Sequence, residues 1–171
     1  KNIYIPESVT SIGNSAFENC IGLKSIIIPS NVSTIGMNAF KGCKNLHKVT
    51  FMGEYINMFN NIAENIDTLL IPYSKVVGVY SGFTSLKKLD IGGAEKISPG
   101  ALAGLTELTD LTIPFVGCGS KATATGENGV IGAMFYNEYN SKMRQITQYY
   151  NDKESRKSYV PANLEKLTIT D

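Results

Sequence analysis

Few residues in this 171-residue chain combine the type and spacing that catalysis needs. His47 is the only histidine. A catalytic imidazole works beside a nucleophile and an acid that orients it. No partner stands at a recognisable spacing from His47, so it reads as a surface polar residue. Cys20, Cys43 and Cys118 are the only thiols. Three cysteines are too few for a disulfide scaffold. They contain no zinc-type pair, and a metal site needs more ligands than these residues offer. Gly117-Cys118-Gly119-Ser120-Lys121 faintly resembles a phosphate loop. That loop requires four residues between its glycines and then Gly-Lys-Ser/Thr, so an irregular turn is expected here. Glu138 and Asp152 could serve an active site only if the chain around them were built against a sheet, and their spacing gives no support for that. The sequence therefore points away from an enzyme and implies no cofactor and no metal.

The bulk properties narrow the partners. Lys and Arg total 16 against 15 for Asp and Glu, a net charge of +1. Such a balance creates no whole-chain field to steer nucleic acid or an anionic membrane. The mixed run Lys153-Glu154-Ser155-Arg156-Lys157 is too short and too mixed for nucleic acid and reads as a solvated loop. An apolar fraction of 43% lies far above the disordered regime. No run of about 18 apolar residues occurs, so no membrane insertion is expected. No signal-peptide pattern opens the chain. Asn31-Val32-Ser33 fits a glycosylation sequon, which has meaning only in a eukaryotic secreted protein.

The elements that must position any site come from an internal repeat. Residues 5–20 (Ile5-Pro6 … Ile12-Gly13-Asn14-Ser15-Ala16-Phe17 … Cys20) align without a gap on residues 28–43 (Ile28-Pro29 … Ile35-Gly36-Met37-Asn38-Ala39-Phe40 … Cys43), 23 residues on. Leu23, Ile26 and Ile28 recur as Leu46, Val49 and Phe51. A third clear copy runs from Ile97 through Ala101-Leu102 and Leu105 to Leu108, Leu111, Ile113 and Pro114. Weaker copies keep only the strand spacing, at Ile66-Leu69-Ile71, Leu86-Leu89-Ile91 and Leu164-Leu167-Ile169. The leading positions are separated by 23, 20, 20, 22 and 56 residues. The last interval marks an insertion over 115–159.

Each Leu-x-x-Ile-x-Ile reads as a short strand with period-2 alternation, ended by Pro. Gly13 and Gly36 suit a tight backbone bend. Ala-Phe reads as a short helical turn with Phe inward. One such unit cannot bury its own apolar face, so units must stack. The expected architecture is an α/β solenoid of leucine-rich repeats: a parallel β-sheet on one face, short turns and helices on the other, and one long insertion near the C-terminus. Residues 1–171 would form a single repeat domain. Ile3 and Ile5 stand 23 residues before Ile26 and Ile28, so the chain opens in mid-strand without a capping repeat. This predicts an excised piece of a longer repeat protein. Cys20 and Cys43 fall at equivalent positions, close enough for a disulfide. Leu105 at the third position argues instead for a buried apolar slot with free thiols.

Leu-x-x-Ile-x-Ile-Pro-x-x-Val-x-x-Ile-Gly-x-x-Ala-Phe-x-x-Cys resembles the BspA-like leucine-rich repeats. The resemblance is close over 5–51, good over 97–114 and confined to strand positions over 52–91. It implies a bacterial cell-surface or secreted protein, with relatives also in some protozoan parasites, and a role in adhesion to host or other cells. The family motif is a set of core residues and transfers no ligand. The expected partner is a host or microbial surface protein or glycan, bound by a monomer. A structural spacer or stalk presenting other domains is the alternative.

Two places could bind. Period-2 alternation turns outward, on successive strands, Ser25 and Ile27, Lys48 and Thr50, Thr68 and Leu70, Lys88 and Asp90, Asp110 and Thr112, and Lys166 and Thr168. Such extended surfaces are where solenoids bind. The insertion is the second place. It holds five of the nine tyrosines. Of these, Tyr136, Tyr139, Tyr149 and Tyr150 are candidate contacts, because Tyr adds area at low entropy cost; docking of the loop on the solenoid would explain them equally. Asn128-Gly129 is a turn signal and suggests a hairpin between Ala124 and Met134.

Overall fold

The computed structural model describes residues 3–54, 65–78, 80, 82–117, 119–120, 131–135, 141–149 and 155–170. In chain order the strands are β1 (Ser11–Ile12), β2 (Ser25–Ile28), β3 (Thr34–Ile35), β4 (Lys48–Phe51), β5 (Thr68–Leu70), β6 (Val76–Val77), β7 (Lys88–Asp90), β8 (Lys96–Ile97), β9 (Asp110–Ile113), β10 (Gly119–Ser120), β11 (Met143–Tyr149), β12 (Ser155–Pro161) and β13 (Lys166–Ile169). The chain is a parallel β-solenoid. Its main sheet has the order β13-β9-β7-β5-β4-β2, and Ile3 extends it by a parallel bridge to Ile26.

The repeat columns become columns of the core. Ile26, Val49, Leu69, Leu89 and Leu111 stack in register, followed two residues later by Ile28, Phe51, Ile71, Ile91 and Ile113. The leading Leu23, Leu46, Ile66, Leu86 and Leu108 are buried beside them. Full burial of such a side chain contributes about 1.5–3 kcal/mol, and each repeat obtains it only from its neighbours.

The other face is not helical, and here the α/β expectation is corrected. Among the described residues the one helical element is a single 3-10 helix, Ile131–Phe135, inside the insertion. The side opposite the main sheet is made of the short parallel pairs β1-β3 and β6-β8 and of single turns. The Ala-Phe segments lie in turns with bonds three residues back, such as Ala39 N to Gly36 O at 3.2 Å and Cys43 N to Phe40 O at 3.2 Å. Left-handed residues recur at equivalent places: Ser15 and Asn19, Asn38 and Gly42, Gly100 and Gly104. Each interrupts helical φ after one turn. The freed N–H groups bond across repeats: Ser15 N to Met37 O at 3.0 Å, Phe17 N to Ala39 O at 2.8 Å and Asn19 N to Lys41 O at 2.7 Å. Phe17 stacks on Phe40 with ring centroids 5.1 Å apart.

Gly13 and Gly36 each open a tight turn, through Ala16 N to Gly13 O at 3.3 Å and Ala39 N to Gly36 O at 3.2 Å. Neither has a left-handed φ. A Cβ on Gly36 would lie 2.5 Å from Asn14 Oδ1 and 2.6 Å from Gly13 C. Glycine at position 36 therefore also permits close approach of the preceding repeat.

The insertion continues the stack in another form. β10 pairs antiparallel with β8. The 3-10 helix docks on the turn of the preceding repeat through Gly100 N to Ala133 O at 2.9 Å and Leu102 N to Met134 O at 2.8 Å. This buries Ile131, Met134 and Phe135. The antiparallel hairpin β11-β12 packs on the helix, and Gln148 Oε1 accepts from Ile131 N at 2.8 Å. Met134 is thus in the 3-10 helix, not at the end of a hairpin from Ala124; residues 121–130 lie outside the described residues. In the charged run, Lys153 and Glu154 also lie outside them, while Ser155, Arg156 and Lys157 are strand rather than loop. β13 then rejoins the main sheet beside β9.

Candidate functional site

Strand register fixes the exposed face of the main sheet. Ile26 and Ile28 point into the core, so Ile27 between them points out; β4, β5, β7 and β9 repeat the rule, while on the edge strand β13, placed in the rows by its register with β9, Leu167 and Ile169 are exposed. Two in-register rows result. The first is Ser25, Lys48, Thr68, Lys88, Asp110 and Lys166. The second is Ile27, Thr50, Leu70, Asp90, Thr112 and Thr168. Adjacent strands are about 4.8 Å apart, so Lys48, Lys88 and Lys166, on alternate strands, are spaced by roughly 10 Å.

The two ends of this face differ in chemistry. At the β7-β9-β13 end, Lys88 Nζ donates to Asp110 Oδ2 at 2.7 Å, and Lys166 Nζ lies 3.9 Å from the same oxygen. Asp110 Oδ1 is buried without a hydrogen-bond partner among the described residues. Asp90 Oδ1 accepts from Gly92 N at 2.9 Å, and Thr170 Oγ1 donates to Gly92 O at 2.8 Å. This end is a hydrogen-bonded ionic patch. At the opposite end the second row turns apolar. Ile27 is 59% exposed, and Tyr4 before it is 81% exposed. The Ile3–Ile26 bridge places Tyr4 beside Ile27 in the same row. Tyr4 went unnoticed in the sequence because the outward positions were counted from the first complete motif. The 23-residue offset of the repeat, applied to Ile27, would have found it.

The remaining candidates are scattered. His47 is exposed at the start of β4. Cys20 and Cys43 are free thiols. Cys43 is buried, its thiol donates to Phe17 O at 3.0 Å, and burial raises its pKa. Cys118 lies outside the described residues, as do Tyr136, Tyr139, Tyr150, Glu138 and Asp152. Tyr149 closes β11. Tyr159, half-buried on β12, receives a bond from Gln145 Nε2 at 3.0 Å. Asn31 of the sequon uses its side-chain amide in a bond to Glu7 O at 2.7 Å. Among the described residues no group of three His, Cys, Asp or Glu could hold a metal ion. None of their helices is long and apolar enough to cross a membrane. What the face offers is an in-register array of lysine donors, carboxylate acceptors, threonine hydroxyls and one apolar end.

Against known families, the model described as "BspA type Leucine rich repeat region (6 copies)" matches residues 1–74. No curated protein matches the chain.

Proposed function

Taking residues 1–74 as BspA-type leucine-rich repeats, we propose that this chain is a non-catalytic interaction module, surface-exposed or secreted. Its exposed sheet face binds a host or microbial surface protein or glycan in adhesion. The observation that carries the reading is the in-register pair of outward rows from Ile27 to Lys166. A buried ladder holds them at fixed spacing, so a partner meets a preorganised surface. Association with the cell surface follows the habit of the repeat family, and the monomer is the state in which the whole face is open.

One observation favours the spacer reading. Asp110 is already engaged by Lys88 and lies near Lys166, and such a patch is stable in water without a ligand. Binding to immobilised matrix glycoproteins, mucins and glycans separates the readings. The parent is compared with a Lys48→Glu, Lys88→Glu, Lys166→Glu variant and with one whose residues 120–158 are a Gly/Ser linker. Loss in the lysine variant supports the sheet face. Loss in the linker variant alone moves the site to the insertion. Absence of binding by the parent supports the spacer.

A further inference from the structure

We propose that the strip Tyr4–Ile27–Leu70, with the lysines beside it, docks an acidic protein segment that carries apolar side chains. The inference rests on the sheet face being the working surface and assigns the partner chemistry of one end of it.

Single exposed apolar side chains need no explanation. Here they are neighbours by register. Tyr4 stands beside Ile27 through the Ile3–Ile26 bridge, Ile27 beside Thr50, and Thr50 beside Leu70. Tyr4 and Ile27 are 81% and 59% exposed, and Leu70 is half-buried. Beyond Leu70 the same row becomes Asp90, Thr112 and Thr168, so the apolar character is confined to one end. Aromatic side chains beside aliphatic ones on a rigid support are the usual anchors of protein interfaces.

Charge selects the partner. Lys24, Lys48 and Lys87 are exposed at the strand starts, and none makes an ion pair among the described residues. The one carboxylate among them, Asp67, accepts from Thr68 Oγ1 at 2.8 Å. Past the strand ends, Glu54 is held by Lys75 at 3.0 Å, and Glu7 is exposed beyond Pro6. The strip is therefore bordered on its strand-start side by positive charge that no ion pair among the described residues neutralises. Complementarity favours carboxylates on the partner and repels a basic segment. A nucleic acid or sulfated glycan would gain from the lysines and gain nothing from Ile27 or Leu70.

The test uses a fluorescein-labelled dodecapeptide with Asp and Glu placed between Leu and Phe. It is compared with one form in which the acids are Lys, another in which Leu and Phe are Ser, and heparin. Anisotropy should show the first peptide binding at least about tenfold tighter than either altered form. Ile27→Ser and Tyr4→Ser should each weaken it by about tenfold, and Lys24→Glu with Lys48→Glu by at least as much. Lys41→Glu, exposed on the turns opposite the sheet face, should leave it unchanged. Both apolar residues point to solvent, and circular dichroism checks that the fold is kept. Equal binding of the three peptides, no binding of any, heparin binding alone, or indifference to Ile27→Ser would each overturn the proposal. If the glycoprotein panel still responds to the lysine variant, such a result leaves the sheet-face reading standing.

Discussion

Gly13 and Gly36 occupy the same motif position, yet alanine should act oppositely at the two. A Cβ at Gly13 meets nothing within 4 Å. At Gly36 it would lie 2.5 Å from Asn14 Oδ1 and 2.6 Å from Gly13 C, distances that require backbone to move. That backbone is held by Gly36 N to Ile12 O at 2.8 Å and Met37 N to Asn14 Oδ1 at 2.9 Å. Overpacking of this kind costs about 1–3 kcal/mol, and loss of one of these bonds adds about 1 kcal/mol. Gly13→Ala only restricts the unfolded chain, which stabilises by about 0.4–1 kcal/mol. The two variants should thus differ by roughly 2–4 kcal/mol. In a chain of this length 1 kcal/mol moves Tm by about 2–4 °C, so melting followed by circular dichroism should separate them by roughly 5–15 °C, with Gly36→Ala the lower. Equal midpoints, or Gly13→Ala melting lower, would refute the claim that this glycine serves close stacking of repeats.

Three further outcomes follow from burial. Ser158 is fully buried and its hydroxyl has no partner among the described residues, so Ser158→Ala should raise the urea midpoint, by about 1 kcal/mol in stability; a lower midpoint would show that the hydroxyl is satisfied. Burial raises the pKa of Tyr80, so stability is fully present below the unfolded value of about 10 and is lost as pH rises above it, by about 1.4 kcal/mol per unit. Tyr80→Phe should therefore show a smaller drop in urea midpoint between pH 8 and 11 than the parent, and an identical drop would count against this burial. Cys43 is buried with a raised pKa while Cys20 is half-exposed, so in a Cys118→Ser background a thiol reagent should modify Cys20 well before Cys43, a difference that denaturant abolishes; equal rates would place Cys43 nearer the surface.

The main sheet was legible because its period is written twice, once as alternation within each strand and once as the 20–23-residue offset between strands. Even the weak copies at Leu69 and Leu89 keep the buried column. The opposite side was misread because Ala-Phe carries helix-compatible residues. The outcome was decided by left-handed positions at Ser15, Asn19 and Asn38, and by bonds that exist only when a neighbouring repeat is present. The turn at Gly36 was legible, but its tight packing on Asn14 was not, since close approach between repeats leaves no mark within one of them. In the insertion, docking of Ile131–Phe135 on Gly100 and Leu102 depended on contacts remote in sequence. Its one local hint was Ile131-Gly132, which echoes the Ile-Gly of the repeat. Of the candidate binding residues, the sheet rows form one surface because register determines them, whereas Tyr136, Tyr139 and Tyr150 fall outside the described residues.

The sheet face, rather than the opposite side, should meet the partner. Thr68→Arg with Thr112→Arg places two bulky cations on the face without touching the core, and Ser11→Arg with Thr34→Arg does the same on the exposed β1-β3 pair. Binding to the panel of matrix glycoproteins, mucins and glycans should be lost in the first variant and kept in the second. Binding kept in the first variant, or lost only in the second, would contradict the assignment of the sheet face as the working surface.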